Sequence, residues 1–456
     1  MIKKFLLSPK TVISLICAVG LSCIVGSTIP QLTEKPPKFF EAWKANSPKI
    51  YYVIDIFQLN QVYTSIWFLV LLALITLSLI FSLYHQQLKV LIKSRGPVKR
   101  DITKSSFKDY ITIELAHSSE SGFEGLSDRI QRIFKDRGYR PYMASEESGY
   151  FIFGKNRIGK WGGVIFHVGL LVVIAAALYS LAFQKRGFIQ MIQTDTFQGK
   201  DKDWTVKRLG VLAGNFNLDF QVHLNSFIPA YWDNDLIKDM ESSLTIIDDK
   251  GENKEFSLSL RNPVNFNGTK IYQSTHYGYS LGFILEREGQ NPVITNFLLD
   301  APGKKDKPFI GKNDFPTTDY ILDMKFYPNM IEPSFYATLP GVDLTVMENG
   351  EKRFKGRVLF TQRAWLGKDS LTFAQIHYWT GVTFVKNYGM PLVYTGFALS
   401  TLGVFLIFML FCKEIHLKVV EDGDHIRLYM GGQARKFKAL FSEEFKEIAK
   451  RIEKVL

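Results

Sequence analysis

The sequence predicts a polytopic membrane protein: four transmembrane α-helices, a large exported antiparallel β domain of sandwich- or barrel-like form, and a small cytoplasmic α+β part. Three observations carry this. Four apolar windows have the roughly 18 to 23 residues that a bilayer crossing needs: Val12 to Ile29, Ser65 to Leu83, Gly162 to Phe183 and Pro391 to Cys412. Basic residues gather beyond particular window ends. The long stretch between the last two windows alternates apolar and polar residues in short runs broken by turn-forming clusters, which is strand patterning.

Residues 1–30 hold the N-terminus and the first helix. Lys3, Lys4 and Lys10 resemble the basic start of a signal peptide, but the apolar run is long and no small-residue cleavage site follows. A retained helix is expected. Residues 31–64 form an exported loop in which Phe39, Phe40 and Trp43 mix with charges, either lying on the membrane surface or packed as an ordinary loop. Residues 65–84 hold the second helix, and residues 85–160 a cytoplasmic α+β loop. There Tyr110 to Leu115 and Tyr150 to Phe153 read as strands, and Leu126, Ile130 and Ile133 repeat at helical spacing.

Residues 161–184 hold the third helix and 185–388 the exported β domain. Asp219 to Leu224, Ser243 to Ile247 and Phe335 to Leu339 are expected strands of that domain. Residues 389–412 hold the fourth helix, and 413–456 a cytoplasmic tail. The tail shows strands at His416 to Val420 and Ile426 to Met430 across an Asp422-Gly423 turn, then an amphipathic helix through Phe441, Phe445, Ile448 and Ile452. Neither cytoplasmic piece buries much alone, so the two are expected to combine.

Charge sets the orientation. Lys89, Lys93, Arg95, Lys99 and Arg100 follow the second window, Lys155, Arg157 and Lys160 precede the third, and Lys413 and Lys418 follow the fourth. These ends and both termini are placed in the cytoplasm of a multi-pass inner-membrane protein. The net charge of +12 is thereby topological and implies membrane lipid as a neighbour, not nucleic acid. Only Cys17, Cys23 and Cys412 are present, with no C-x-x-C pair. Disulfide scaffolding, dithiol exchange and thioether attachment of haem to this chain are excluded. No catalytic triad order or phosphate loop stands out, and no catalytic residue is assigned.

His167 interrupts the third window. A polar, metal-capable ring is costly in hydrocarbon and faces a partner, a cavity or a ligand. It follows Lys160 by seven residues, or roughly 10 Å of helix, which sets it in one leaflet. Gly162, Gly163 and Gly169 around it allow close approach by a helix or a flat ligand. A hydrogen bond across a helix interface is the plainer alternative. His85 and His416, beyond helix ends, read as polar caps or as partners for an anion. His117, His223, His276, His377 and His425 read as surface or core residues.

Several stretches resemble one family. Gly26-Ser27-Thr28-Ile29-Pro30-Gln31, Tyr63-Thr64-Ser65-Ile66-Trp67-Phe68 and Gly159 to Gly169 are similar, in order, to segments of the ResB-like cytochrome c biogenesis proteins of system II. So are Asn262-Pro263 with Asn267 to Ser274, and Tyr378 to Val382 with Gly389 to Val393. Ile66 and Tyr388 to Pro391 depart locally from the family's pattern.

The resemblance implies that His167 is an axial ligand to the iron of haem b held in transit within the membrane. A ResC/CcsA-like partner with a tryptophan-rich motif would supply the opposite ligand, and haem would pass to apocytochrome c bearing C-x-x-C-H. Trp161 and Gly163 would lie near the haem; His85, Arg157 and Lys160 would meet its propionates. Thioether formation would belong to the complex, with this chain a non-catalytic or co-catalytic subunit. Two rival readings stay open: a b-haem transmembrane electron carrier, and a haem-free sensor or scaffold with an extracytoplasmic binding domain.

Overall fold

A computed structural model describes the chain except residues 1, 33–36, 94–98, 117–122, 146–148, 423–424, 435 and 456. It divides into two compact units, residues 1–177 with 390–456, and residues 178–389.

Among the described residues, four helices are long and apolar enough to cross a membrane: Pro9–Thr28, Ile66–Leu88, Arg157–Phe183 and Gly389–Phe408. Few of their residues are buried, between 11% and 22% of each apolar window, as expected of helices solvated by lipid. Pro9 opens the first, where a missing N–H costs nothing, and Pro30 follows its end. Ser65 caps the second by accepting from the Phe68 N–H. This helix then passes through a π-helical turn at Leu83–Leu88 and continues to Lys93. His85 therefore lies inside a helix rather than beyond its end. The fourth helix stops at Phe408, and Cys412 instead leads into a strand beginning at Lys413.

Residues 37–56 depart from the loop expected there. They form helices Pro37–Asn46 and Pro48–Ile56, each opened by proline, followed by a helical turn at Leu59–Thr64. Buried Gln31 ties this segment to the first helix. Its Nε2 donates to Ile29 O at 2.8 Å and Leu59 O at 2.9 Å, and its Oε1 accepts from Val62 N at 3.1 Å. Gly26 lets the Tyr63 ring pack close beside it, since a Cβ there would stand 2.7 Å from that ring unless the ring shifted.

One antiparallel sheet unites the two segments flanking the third and fourth helices, with strands in the order 109–116, 425–434, 413–422, 150–155, 140–145. Helices Phe123–Asp136 and Lys438–Val455 pack on it. Ile130, Phe134, Phe153, Leu417, Phe445 and Ile448 meet in its core. The turn expected at Asp422-Gly423, like His117, falls outside the described residues.

The second unit is built from antiparallel strands in a pattern used twice. Strands 185–192, 196–197, 220–231, 237–248, 253–259, 264–266 and 269–286 are followed by 293–300, 309–314, 320–327, 341–348, 351–359, 363–366 and 369–386, which take equivalent places in the same order. Only the short strand 206–209 has no counterpart. Each half forms a four-stranded sheet. The two 18-residue strands, Thr269–Glu286 and Asp369–Lys386, pair with each other along their length.

Each long strand serves both halves. Ile271 and Tyr277 join Val382 and Phe384 in one core, whereas Leu281 and Phe283 join Leu371 and Phe373 in the other. At the crossover, the Tyr279 and Tyr378 hydroxyls hydrogen-bond at 2.8 Å. The strand expected at Phe335 to Leu339 is absent. Pro328, Pro333 and Pro340 limit ladder bonding there. The Tyr279 hydroxyl takes the ladder's place, donating to Phe335 O at 2.9 Å and accepting from Ala337 N at 3.1 Å.

Candidate functional site: a polar face between membrane helices

The third helix is apolar around its circumference, as a membrane-spanning helix is. Two of its faces are met differently. Gly162 and Gly169 lie against the fourth helix: a Cβ on Gly162 would come 2.8 Å from Gly403 O, and one on Gly169 2.6 Å from Ser400 N. Reciprocally, a Cβ on Gly403 would come 2.5 Å from Phe166 N. Small residues thus let the two backbones touch.

Gly163 and His167 sit one turn apart on another face and meet the second helix. A Cβ on Gly163 would collide with the Gln87 side-chain amide. His167 Nδ1 lies 2.7 Å from Gly163 O, and its Nε2 lies 3.3 Å from Ser82 Oγ. Ser82 Oγ also lies 3.1 Å from Gln86 Oε1. A carbonyl cannot donate, so Nδ1 carries a proton, and in that tautomer of the uncharged imidazole the lone pair sits on Nε2. That lone pair receives only a long contact from a hydroxyl whose single proton Gln86 also attracts. Half-buried, the ring is reachable from outside the helix pair. The arrangement is that of an oriented imidazole able to ligate a metal or haem iron.

The second helix supplies Ser82, Gln86 and Gln87, none of which stood out in the sequence. The signal was there: three amide or hydroxyl side chains in the last turns of an apolar run. They border or lie in the π-helical turn Leu83–Leu88, a feature that often marks functional positions.

The other residues at this end have defined places. His85 stacks on Phe81, with centroids 6.0 Å apart, and meets Tyr84 edge-on. Trp161 is 48% exposed. Lys160 pairs with Glu414 at 2.6 Å, and Gln433 donates to the other Glu414 oxygen at 3.0 Å. Burial opposes ionisation of Glu414, but the Lys160 bond prevails and holds its carboxyl below the usual range.

His416 corrects an expectation. It is not a cap: it is 2% exposed, against Phe107 and inside the five-stranded sheet's packing. Its Nδ1 meets the Tyr150 hydroxyl at 2.8 Å, while Nε2 is buried with no hydrogen-bond partner. Burial pushes its pKa down to about 4. In the second unit, His223 contacts Thr196 Oγ1 at 2.8 Å and His276 contacts Ser274 Oγ at 3.1 Å, local bonds of surface residues. Among the described residues, no group of three or more His, Cys, Asp or Glu converges as a metal site. A lone His with an open lone pair needs its remaining ligands from elsewhere.

Comparison with known proteins bears on this arrangement. The chain is 24% identical over 458 residues to the cytochrome c biogenesis protein CcsB of Trichormus variabilis, covering 97% of this chain and 90% of that one. It is 25% identical over 455 residues to the protein of the same name from a Picosynechococcus species, covering 97% and 88%. Among solved structures, the cytochrome c haem lyase CcmF overlaps 81% of this chain and 44% of its own, at 12% identity and a TM-score of 0.25, too low to bear on the fold. The model of the ResB-like family matches residues 10–339 and 330–446, and the chain belongs to that family.

Proposed function

We propose that this chain is the ResB-like subunit of a membrane complex that carries haem to apocytochrome c, and that His167 is one axial ligand to the haem iron. The single observation behind this reading is the His167 ring: Nδ1–H donates to Gly163 O at 2.7 Å, and the Nε2 lone pair faces a weakly held hydroxyl. Backbone acceptance at one nitrogen fixes the tautomer and aims the other, as a ligand histidine requires. Relatives named for cytochrome c biogenesis along nearly the whole chain supply the context.

The residues present fit haem b as cargo. Ser82 would yield Nε2 when iron approaches, keeping its bond to Gln86. The bound haem would supply an electrophilic vinyl-bearing macrocycle for thioether formation outside this chain, whose own cysteines, Cys17, Cys23 and Cys412, form no C-x-x-C pair. A ResC/CcsA-like partner would provide the opposite ligand. Gly163 and Trp161 would lie near the haem. His85 and Lys160 remain candidates for the propionates, but Lys160 would have to leave Glu414 first, so its contribution is small. By the basic residues flanking the helices, residues 185–388 would face the exported side and both termini the cytoplasm.

Complementation tests the role. Cells lacking this chain should fail to mature c-type cytochromes; the wild-type chain should restore haem-stained holocytochrome, and His167→Ala should not. Normal maturation in the deletion strain would refute the reading. Full activity of His167→Ala would remove the ligand assignment while leaving the pathway role.

A further inference from the structure

A cavity of about 920 Å³ opens in the first unit, within the size of ligand pockets. Leu88, Leu91 and Ile92, where the second helix runs past its apolar span, form one wall. Ile158 and Trp161, at the start of the third span, form another, and both are about half exposed. Arg140, Arg157 and Lys160 supply its charge, and no carboxylate lines it among the described residues. Lys160 is neutralised by Glu414. Arg140 and Arg157 have no ion-pair partner among the described residues. Arg157 is held in place by stacking, its Cζ 3.7 Å above the Tyr142 ring.

We propose that this cavity binds the headgroup of an anionic phospholipid, with the phosphate between Arg140 and Arg157 and the glycerol and upper acyl chain along Leu88, Leu91, Ile92 and Trp161. Depth selects the occupant: the cavity lies where two apolar spans give way to basic residues, the level of lipid phosphates, and its aromatic and aliphatic walls match an interface. Guanidinium pairs grip phosphate in a bidentate manner, and basic pockets beside membrane helices hold anionic headgroups. Two cations without carboxylate partners disfavour zwitterionic lipids, whose ammonium would find no acceptor. The site requires only that the helices lie in a bilayer, so it stands or falls apart from haem ligation by His167.

Native mass spectrometry of the full chain in detergent, with equimolar phosphatidylglycerol and phosphatidylcholine of matched acyl chains, tests it. Wild type should prefer phosphatidylglycerol about 25-fold, each removed guanidinium lowering that preference about fivefold. Arg140 is exposed on an outer strand, so Arg140→Gln alone should report without disturbing the fold. Arg140→Gln with Arg157→Gln should abolish the preference. An unchanged preference in the double variant overturns the proposal, as does equal binding of both lipids by wild type. Displacement of lipid by millimolar glycerol phosphate would assign the cavity to a soluble phosphate, and displacement by haem would assign it to the cargo. Either result also overturns it. Soret absorption of Arg140→Gln, a residue with no assigned role toward haem, should equal wild type, which separates failure here from failure of the haem reading.

Discussion

The two faces of the third helix differ in how they are closed. Toward the fourth helix, Gly162 and Gly169 meet Gly403 and Ser400 at backbone distance, with no room for a methyl group. Toward the second helix, Gly163 and His167 meet flexible polar side chains, Ser82, Gln86 and Gln87. The first face buys helix association through close packing. The second keeps a polar group partly exposed, at the cost of desolvating it, and leaves its lone pair loosely held. A ligand can enter only the second face without unpacking backbone.

The largest expected effect strikes the sealed face. Gly403→Leu would drive a side chain into the Phe166 backbone, which cannot move aside as a side chain could. Destabilisation of about 3 kcal/mol or more is expected, since overpacking of a close contact relaxes poorly. Loss of folded protein in detergent by thermal-melt or size-exclusion measurement checks it. A variant with a wild-type melt would mean the faces are not different in kind.

His416 extends the contrast to a histidine sealed in a core. Its pKa lies near 4 in the folded chain against an ordinary value of 6.5. The unfolded chain therefore binds the extra proton first, and stability is fully present above pH 6.5 and declines as pH falls toward 4. The contribution is roughly 3 kcal/mol at most. Unfolding of wild type and His416→Phe from pH 7 to pH 4.5 should differ in acid sensitivity, the variant being flatter. Equal slopes would show that the ring protonates without cost.

On the open face, effects should fall on haem rather than on the fold. His167→Ala should lower haem content of the co-purified complex at least about tenfold, with an unchanged melt. Gly163→Ala asks only that the end of Gln87 shift, so a change of less than about 1 kcal/mol is expected, with haem content within twofold. Lys160→Gln should change haem content least. A large haem loss there would move the propionate contact from a minor to a central role.

Much of the architecture was legible because membrane spans declare themselves by length and apolarity. The third window, Gly162 to Phe183, matches its helix at both ends. The pairing of residues 109–155 with 413–434 could be reasoned from two pieces too small to bury a core alone. Residues 37–56 were misread because proline and charge suggested a loop, whereas each proline opens a helix. The doubled strand pattern escaped because the two halves keep their strand order with little residue identity. Phe335 to Leu339 had strand composition, but Tyr279, distant in sequence, satisfies its backbone. At the site, His167 was conspicuous as the lone imidazole in the apolar run. Its partners were not, because Ser82, Gln86 and Gln87 looked like an ordinary fraying helix end.

The most direct measurement of the central claim is the Soret spectrum of the complex co-expressed with its partner, for wild type, His167→Ala and His167→Gly, each with and without imidazole. The account predicts a haem band in wild type, its loss in both variants, and its return in His167→Gly when imidazole fills the space left by the ring. A full haem band in both variants, insensitive to imidazole, would contradict it.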